Sequence, residues 1–164
     1  MKKTFAIKSS EKALSDAAAL CSKKECCEAD ILQKLLDWNL SLEDASQIIE
    51  KLKEEKFLDE NRFALFYAKD KLKFNHWGKI KIKHFLKQKK VKESIIQNSL
   101  NQIDDELYFE ILDKLIASKV KNASMLKDIK FKARLYNNLA SHGFESECIK
   151  ERINILKQAQ NDTE

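Results

Sequence analysis

Three histidines (His76, His84, His142), four cysteines (Cys21, Cys26, Cys27, Cys148) and the adjacent carboxylates Asp59 and Glu60 are the residues with which this 164-residue chain could do covalent, metal or acid–base chemistry. Their spacing argues against each. No histidine stands at ligand spacing from a cysteine or carboxylate in a familiar metal motif, and the chain has neither a glycine-rich phosphate loop nor a nucleophile elbow. The cysteines lack the paired spacing of a zinc ribbon, and neighbours such as Cys26 and Cys27 make a poor disulfide. They read as small hydrophobes in a reducing cytosol, a metal or redox role being the other reading. Asp59 reads as the cap of a helix starting near Arg62, with Glu60 favourable in its first turn, rather than as half of a catalytic pair. His84, among lysines on a helix, reads as solvated or partly buried. The expectation is a protein that is not an enzyme and has no cofactor, no metal and no small-molecule substrate.

Binding chemistry is better represented. Residues 69–92 hold ten lysines (69, 71, 73, 79, 81, 83, 87, 89, 90 and 92) against one acid, Asp70, a net charge of +9 in a chain that is +5 overall. A partner that wants positive charge should look for it here. Lys79, Lys83, Lys87 and Lys90 fall at i, i+4, i+8 and i+11 and form one strip along a helix, while Ile82, Phe85 and Leu86 take another side. Like charges at i, i+4 repel, so a strip repeated without nearby acids points to a partner. Phe74 and Trp77 either stack on a base or fill the junction between units. The acidic run that precedes this region, with Glu43, Asp44, Glu50, Glu54, Glu55, Asp59 and Glu60, contrasts with it in sign.

The elements that must carry these residues are helices. The chain has no proline and only two glycines, Gly78 and Gly143, too few for the turns of a sheet protein, and apolar residues recur at three and four spacings. Hydrophobic content of 43% with 35% charged residues suits a folded, helix-rich chain. No apolar run approaches the roughly 18 residues of a membrane span, so a cytoplasmic location and no membrane partner are expected.

An internal repeat organises the helices. Leu40, Val91 and Phe144 each follow a polar or glycine-containing pair; Ile31, Ile82 and Leu135 stand nine residues before them, Leu35, Leu86 and Leu139 five before, and Ile49, Leu100 and Ile153 nine after. The repeat length is therefore 51 to 53 residues. The expected architecture is all-α: three tandem three-helix repeats, about nine helices in all, in an elongated array whose curvature the sequence leaves open. Residues 1–10 form a flexible tail, 11–56 the first repeat, 57–103 the second and basic one, 104–157 the third, and 158–164 a second flexible tail. Helices are expected at Glu11–Ser22, Glu28–Trp38, Leu42–Glu54, Glu60–Phe74, Lys79–Gln88, Lys92–Gln102, Asp105–Ser118, Met125–Ser141 and Ser146–Lys157. In the fourth of these Phe63, Phe66, Tyr67 and Asp70 share a side, expected to be a core stripe with a polar margin.

The segment Phe57-Leu58-Asp59-Glu60 with Arg62, Phe63 and Ala64, followed by Gly78 before a basic helix and by Lys89-Lys90-Val91 at the next break, resembles the signature of the RecX family of bacterial regulatory proteins. Residues 23–35 resemble the family's first repeat and His142-Gly143-Phe144 its last, so the likeness covers roughly residues 14–153. Two departures stand out: Lys90 replaces the usual glycine at the break, and Cys27-Glu28 replaces Ser-Arg in the first repeat. The second removes a positive charge from any contact of that helix with an acidic partner. The resemblance implies three three-helix units and a protein that binds the RecA filament on single-stranded DNA. There it would modulate, and mainly inhibit, recombinase, ATPase and co-protease activity in DNA repair, recombination and the SOS response.

On this reading the partner surface comprises Lys73, Lys79, Lys81, Lys83, Lys87, Lys89 and Lys90 of the second repeat with Lys119, Lys121 and Lys127 of the third, while Phe57, Leu58, Asp59, Arg62, Phe63 and Gly78 are structural. The alternative from the same charges is a stand-alone nucleic-acid-binding helical-repeat module. A third reading is an adaptor meeting a basic protein through the acidic third helix.

Overall fold

The computed structural model describes residues 8–161, which form nine α-helices and one 3-10 helix with no strand among them. The helices are α1 (Ser10–Lys23), α2 (Glu28–Asp37), α3 (Leu42–Glu54), α4 (Glu60–Asn75), α5 (Lys79–Gln88), α6 (Glu93–Asn101), α7 (Asp105–Lys119), α8 (Ile129–Ser141) and α9 (Ser146–Asn161), with the 3-10 turn at Ala123–Lys127 between α7 and α8. The all-α class and the three successive groups of three helices match the reading of the sequence. Of the expected flexible tails, residues 1–7 and 162–164 lie outside the described residues.

By contact, the chain divides into two compact units, one from Met1–Phe66 with Leu86–Ile96 and the other from Tyr67–Phe85 with Gln97–Glu164. In the first, α1, α2 and α3 pack on one another around Ala13, Ala17, Ile31, Leu35, Ile48 and Leu52. In the second, α7, α8 and α9 pack mutually, with Tyr108, Leu112, Ile116, Leu139, Phe144 and Ile149 at most 1% exposed.

The repeat has a physical basis at its break. Asn39, Lys90 and Gly143, each one residue before an anchor, have φ of +62°, +61° and +89°. The three anchors donate the same bond, Leu40 N to Leu35 O, Val91 N to Leu86 O and Phe144 N to Leu139 O, at 3.1–3.4 Å. The left-handed residues donate to the carbonyls three residues back, at Leu36, Lys87 and Ala140, each at 2.9 Å. This is a Schellman termination made three times: the left-handed residue ends the second helix, and the apolar residue after it drops onto the helix it has just left. Eleven of the twelve repeat positions are buried, and Ile153 is half-buried.

Local side chains start most helices, because the first N–H groups of a helix have no partner within it. Ser41 accepts from Asp44 N at 3.0 Å, Asp59 from Arg62 N at 3.0 Å, Asp104 from Leu107 N at 2.8 Å and Asp128 from Lys130 N at 2.8 Å. α2 and α5 are different, their starts being satisfied from far along the chain. Glu28 N donates to the Glu60 carboxylate at 3.2 Å. At α5, Gly78 N donates to His142 O at 2.8 Å, Lys79 N to the Tyr108 hydroxyl at 3.2 Å and Ile80 N to Gly143 O at 3.0 Å. The start of α5 thus meets the carbonyl end of α8 head to tail, an arrangement that pairs the positive and negative ends of two helix dipoles.

Three expectations are corrected. Phe66 is 60% exposed and leaves the core stripe to Phe63, Ala64, Ala68 and Leu72. The helix expected from Met125 is a 3-10 turn followed by α8, because Asp128 caps a fresh start. α9 runs to Asn161, four residues past its expected end at Lys157, so Gln158–Asn161 is helical rather than a flexible tail.

Candidate functional site

Arg62 and its neighbours hold the junction before α4. Asp59 caps that helix, and the Arg62 guanidinium donates to the carbonyls of Lys56 and Phe57 and, through Nε, to Glu25 at 2.6 Å. Leu58 and Phe63 are buried on either side of this turn. Arg62 therefore closes a turn whose residue Lys56 has φ +60°, and it presents no free charge. Gly78 is required for a different reason: a Cβ there would lie 2.2 Å from Gly143 O.

In the second unit, Trp77 stacks on Phe85 with ring centroids 4.6 Å apart, while Lys81 and Lys71 stand over the indole at 4.9 and 5.7 Å. Trp77 is half-buried by this pairing, whereas Phe74 is 69% exposed with Lys73 over its ring at 5.5 Å. Cations held over ring faces are attracted by the ring quadrupole. Lys79 pairs with Asp105 at 3.3 Å and lies 4.9 Å from the Tyr108 ring; Lys81 Nζ also donates to Ser141 O at 3.4 Å. Burial, with the hydrogen bond to Glu145, pushes the Tyr108 hydroxyl well above its usual range, so it stays a donor to that carboxylate while accepting from Lys79 N.

In the first unit, Lys87 pairs with Glu93 at 3.0 Å and Lys89 with Asp30 at 2.7 Å. Burial alone would raise the Asp30 carboxyl; hydrogen bonds from Lys89 and Cys27 and the charges of Lys89 and Lys24 outweigh it and hold the group below its usual value. Lys90 and Lys92 line a cavity of about 270 Å³ together with Leu32, Leu36, Glu28 and Glu60. Burial raises the Glu60 carboxyl there.

The sequence argument that the lysine strip runs without acids does not survive the fold. Asp105 of α7 and Glu93 of α6 meet Lys79 and Lys87 of the strip, and Asp30 of α2 meets Lys89, which stands beside the strip just past the end of α5. Two of these acids lie distant in sequence and could not be read from the strip's own helix. Lys73, Lys90, Lys119, Lys121 and Lys127, in contrast, make no ion pair among the described residues. Ile80, at the solvent side of α5, is 56% exposed. Glu60 stands in the first turn of α4 as read from the sequence, but its bridge to the start of α2 was not legible there; Tyr108, which caps α5, was missed, a buried tyrosine needing a partner being the available signal. Among the described residues no three His, Cys, Asp or Glu side chains gather as a metal site would require, and no helix is long and apolar enough to cross a membrane.

Comparison with known proteins gives consistent matches. Residues 59–100 match the family model described as "RecX, second three-helix domain". The chain is 34% identical over 149 residues to the regulatory protein RecX of Clostridium tetani, an overlap of 88% of this chain and 67% of that protein. It is 33% identical over 118 residues to the regulatory protein RecX of Lactobacillus johnsonii, covering 72% of this chain and 44% of the relative. The chain thus spans from under half to two thirds of the length of these relatives. The crystal structure of RecX from Lactobacillus salivarius superposes with a TM-score of 0.80 at 21% identity, over 91% of this chain and 97% of that one, which shows a shared fold.

Proposed function

Because this chain belongs to the RecX family, we propose that it is a non-catalytic regulatory protein that engages a RecA recombinase filament on single-stranded DNA and restrains its ATP turnover, strand exchange and co-protease activity in DNA repair and the SOS response. Family membership carries the reading, since it rests on most of the chain rather than on one motif. The distribution of charge supports it and refines the contact surface. Lys73, Lys119, Lys121 and Lys127 of the second unit make no ion pair among the described residues and are the cations best able to steer toward an acidic or phosphate-bearing partner, while Lys90 of the first unit, also outside any ion pair, shares its cavity with Glu28 and Glu60. Lys79, Lys87 and Lys89 are already paired within the fold, so they set the position of α5 and its break and add less to the outward field. Lys81 and Lys83 complete the surface. The site of action is the cytoplasm, where such a filament forms.

The test is single-stranded-DNA-dependent ATP hydrolysis by the recombinase of the same organism, with this protein titrated from far below to equal stoichiometry. Turnover is expected to fall at substoichiometric protein, and Lys121→Glu with Lys127→Glu is expected to weaken the effect without loss of helical content. Unchanged turnover at equimolar protein would overturn the proposal.

A further inference from the structure

The cavity beside α2, about 270 Å³ in volume, lies wholly within the first unit. Leu32 and Leu36, one turn apart on that helix, pack on the core with one side and give the cavity an apolar floor with the other. Glu28 and Glu60 line it from the starts of α2 and α4, and Lys90 and Lys92 from the break between α5 and α6.

No ion pair joins the two signs. Lys90 and Lys92 are exposed and make none among the described residues. Lys90 also stands at φ +61°, where glycine would cost less, so its side chain is held there without an ionic contact to offset the strain. Glu28 pairs with Lys53 at 2.7 Å, outside the cavity, and the Glu60 carboxylate accepts the N–H of Glu28 at 3.2 Å. A carboxylate has about four acceptor sites, and burial raises the Glu60 carboxyl, which marks an ionised group short of partners.

These requirements together narrow the ligand. A simple anion suits the lysines but is repelled by the glutamates, a simple cation does the reverse, and neither uses the leucines. A free aliphatic α-amino acid meets all three, because its ammonium, its carboxylate and its apolar side chain leave the same carbon. Two glutamates and two lysines sum to zero charge, as does such a ligand, so no charge is left uncompensated when it binds. The volume, at the low end for ligand pockets, suits a side chain the size of leucine.

We propose that this cavity binds a free aliphatic α-amino acid, its carboxylate on Lys90 and Lys92, its ammonium on Glu60 in the field of Glu28, and its side chain on Leu32 and Leu36. The contact needs neither recombinase nor nucleic acid, so it stands or falls separately from the regulatory role above.

The experiment is an NMR titration of the full chain with L-leucine, beside three analogues that each lack one contact: isocaproate without the ammonium, isopentylamine without the carboxylate, and glycine without the side chain. Leucine is expected to shift the methyl signals of Leu32 and Leu36, and each analogue to bind at least about tenfold more weakly, the order of one lost charge-assisted bond or one buried side chain. Lys90→Gly with Lys92→Gln is expected to weaken leucine to the level of isopentylamine and to leave isopentylamine no weaker. The first change relieves the strained backbone, which separates lost binding from lost fold. Glu60→Gln keeps an acceptor for Glu28 N and is expected to weaken leucine and isopentylamine alike, with isocaproate no weaker. No shift on α2 at millimolar leucine, isocaproate binding as tightly as leucine, or leucine binding that survives the lysine changes would each overturn the proposal. So would N-acetyl-leucine binding as tightly as leucine, which would make the cavity a seat for the carboxyl end of a polypeptide.

Discussion

Replacing Gly78 by alanine is expected to destabilise the second unit by about 1.5–4.5 kcal/mol, since at this N-cap position of α5 alanine brings no compensating preference. The new Cβ would sit 2.2 Å from Gly143 O and 2.3 Å from Phe144 N, backbone atoms that cannot rotate aside. Reaching even 3.0 Å, below which such contacts are essentially absent, requires α5 to retreat by about 0.8 Å. The bonds from Gly78 N to His142 O (2.8 Å), from Ile80 N to Gly143 O (3.0 Å) and from Lys79 N to Tyr108 Oη (3.2 Å) would all then exceed hydrogen-bonding distance. Three bonds at a net ~0.5–1.5 kcal/mol each sum to the stated range of about 1.5–4.5 kcal/mol. Thermal unfolding followed by circular dichroism is the assay, and a fall of roughly 5–15 °C in Tm is expected for a domain of this size. Gly143→Ala should cost at least as much, since its φ is +89° and its Cβ would lie 2.3 Å from Lys81 Cβ. A Gly78→Ala protein melting within a degree or two of the original would refute the reasoning, for it would mean that the glycine-to-glycine approach is not tight in solution.

Lys90→Gly should act in the opposite direction, raising stability by about 0.5–1 kcal/mol, because Lys90 sits at φ +61° where an L side chain is strained; an unchanged urea midpoint at constant m-value would count against it. Tyr108→Phe should cost about 1–3 kcal/mol by leaving Lys79 N–H and the Glu145 carboxylate without their shared partner, read from the same denaturation curves. Burial pushes the Cys21 thiol up to about 12 and that of Cys27 up to about 11, so iodoacetamide at pH 8.5 should label half-buried Cys148 first and those two only on unfolding. Both buried thiols are held in the protonated form. The stability they contribute is therefore complete below their ordinary value of 9.0 and is lost as pH rises through about 11 and 12, and replacing both with alanine should flatten the decline in stability above pH 9.

Much of the fold was written locally. The Schellman breaks at Leu40, Val91 and Phe144 were legible because each needs only a left-handed residue followed by an apolar one, within a dozen residues of chain. The starts of α3, α4 and α7 were legible for the same reason, each being capped by a side chain next to it. What the sequence determined by itself, then, is whatever is decided within one or two turns of helix: the periodicity, the breaks, the three-fold repeat, and the total positive charge of residues 69–92. The tertiary structure alone decided which of those charges remain available. Lys79 and Lys89 meet Asp105 and Asp30, acids 26 and 59 residues away, while Lys121 and Lys127 meet none. A charge reads the same in the sequence whether or not it is neutralised, because Coulomb interactions act through space, and only the fold sets those distances.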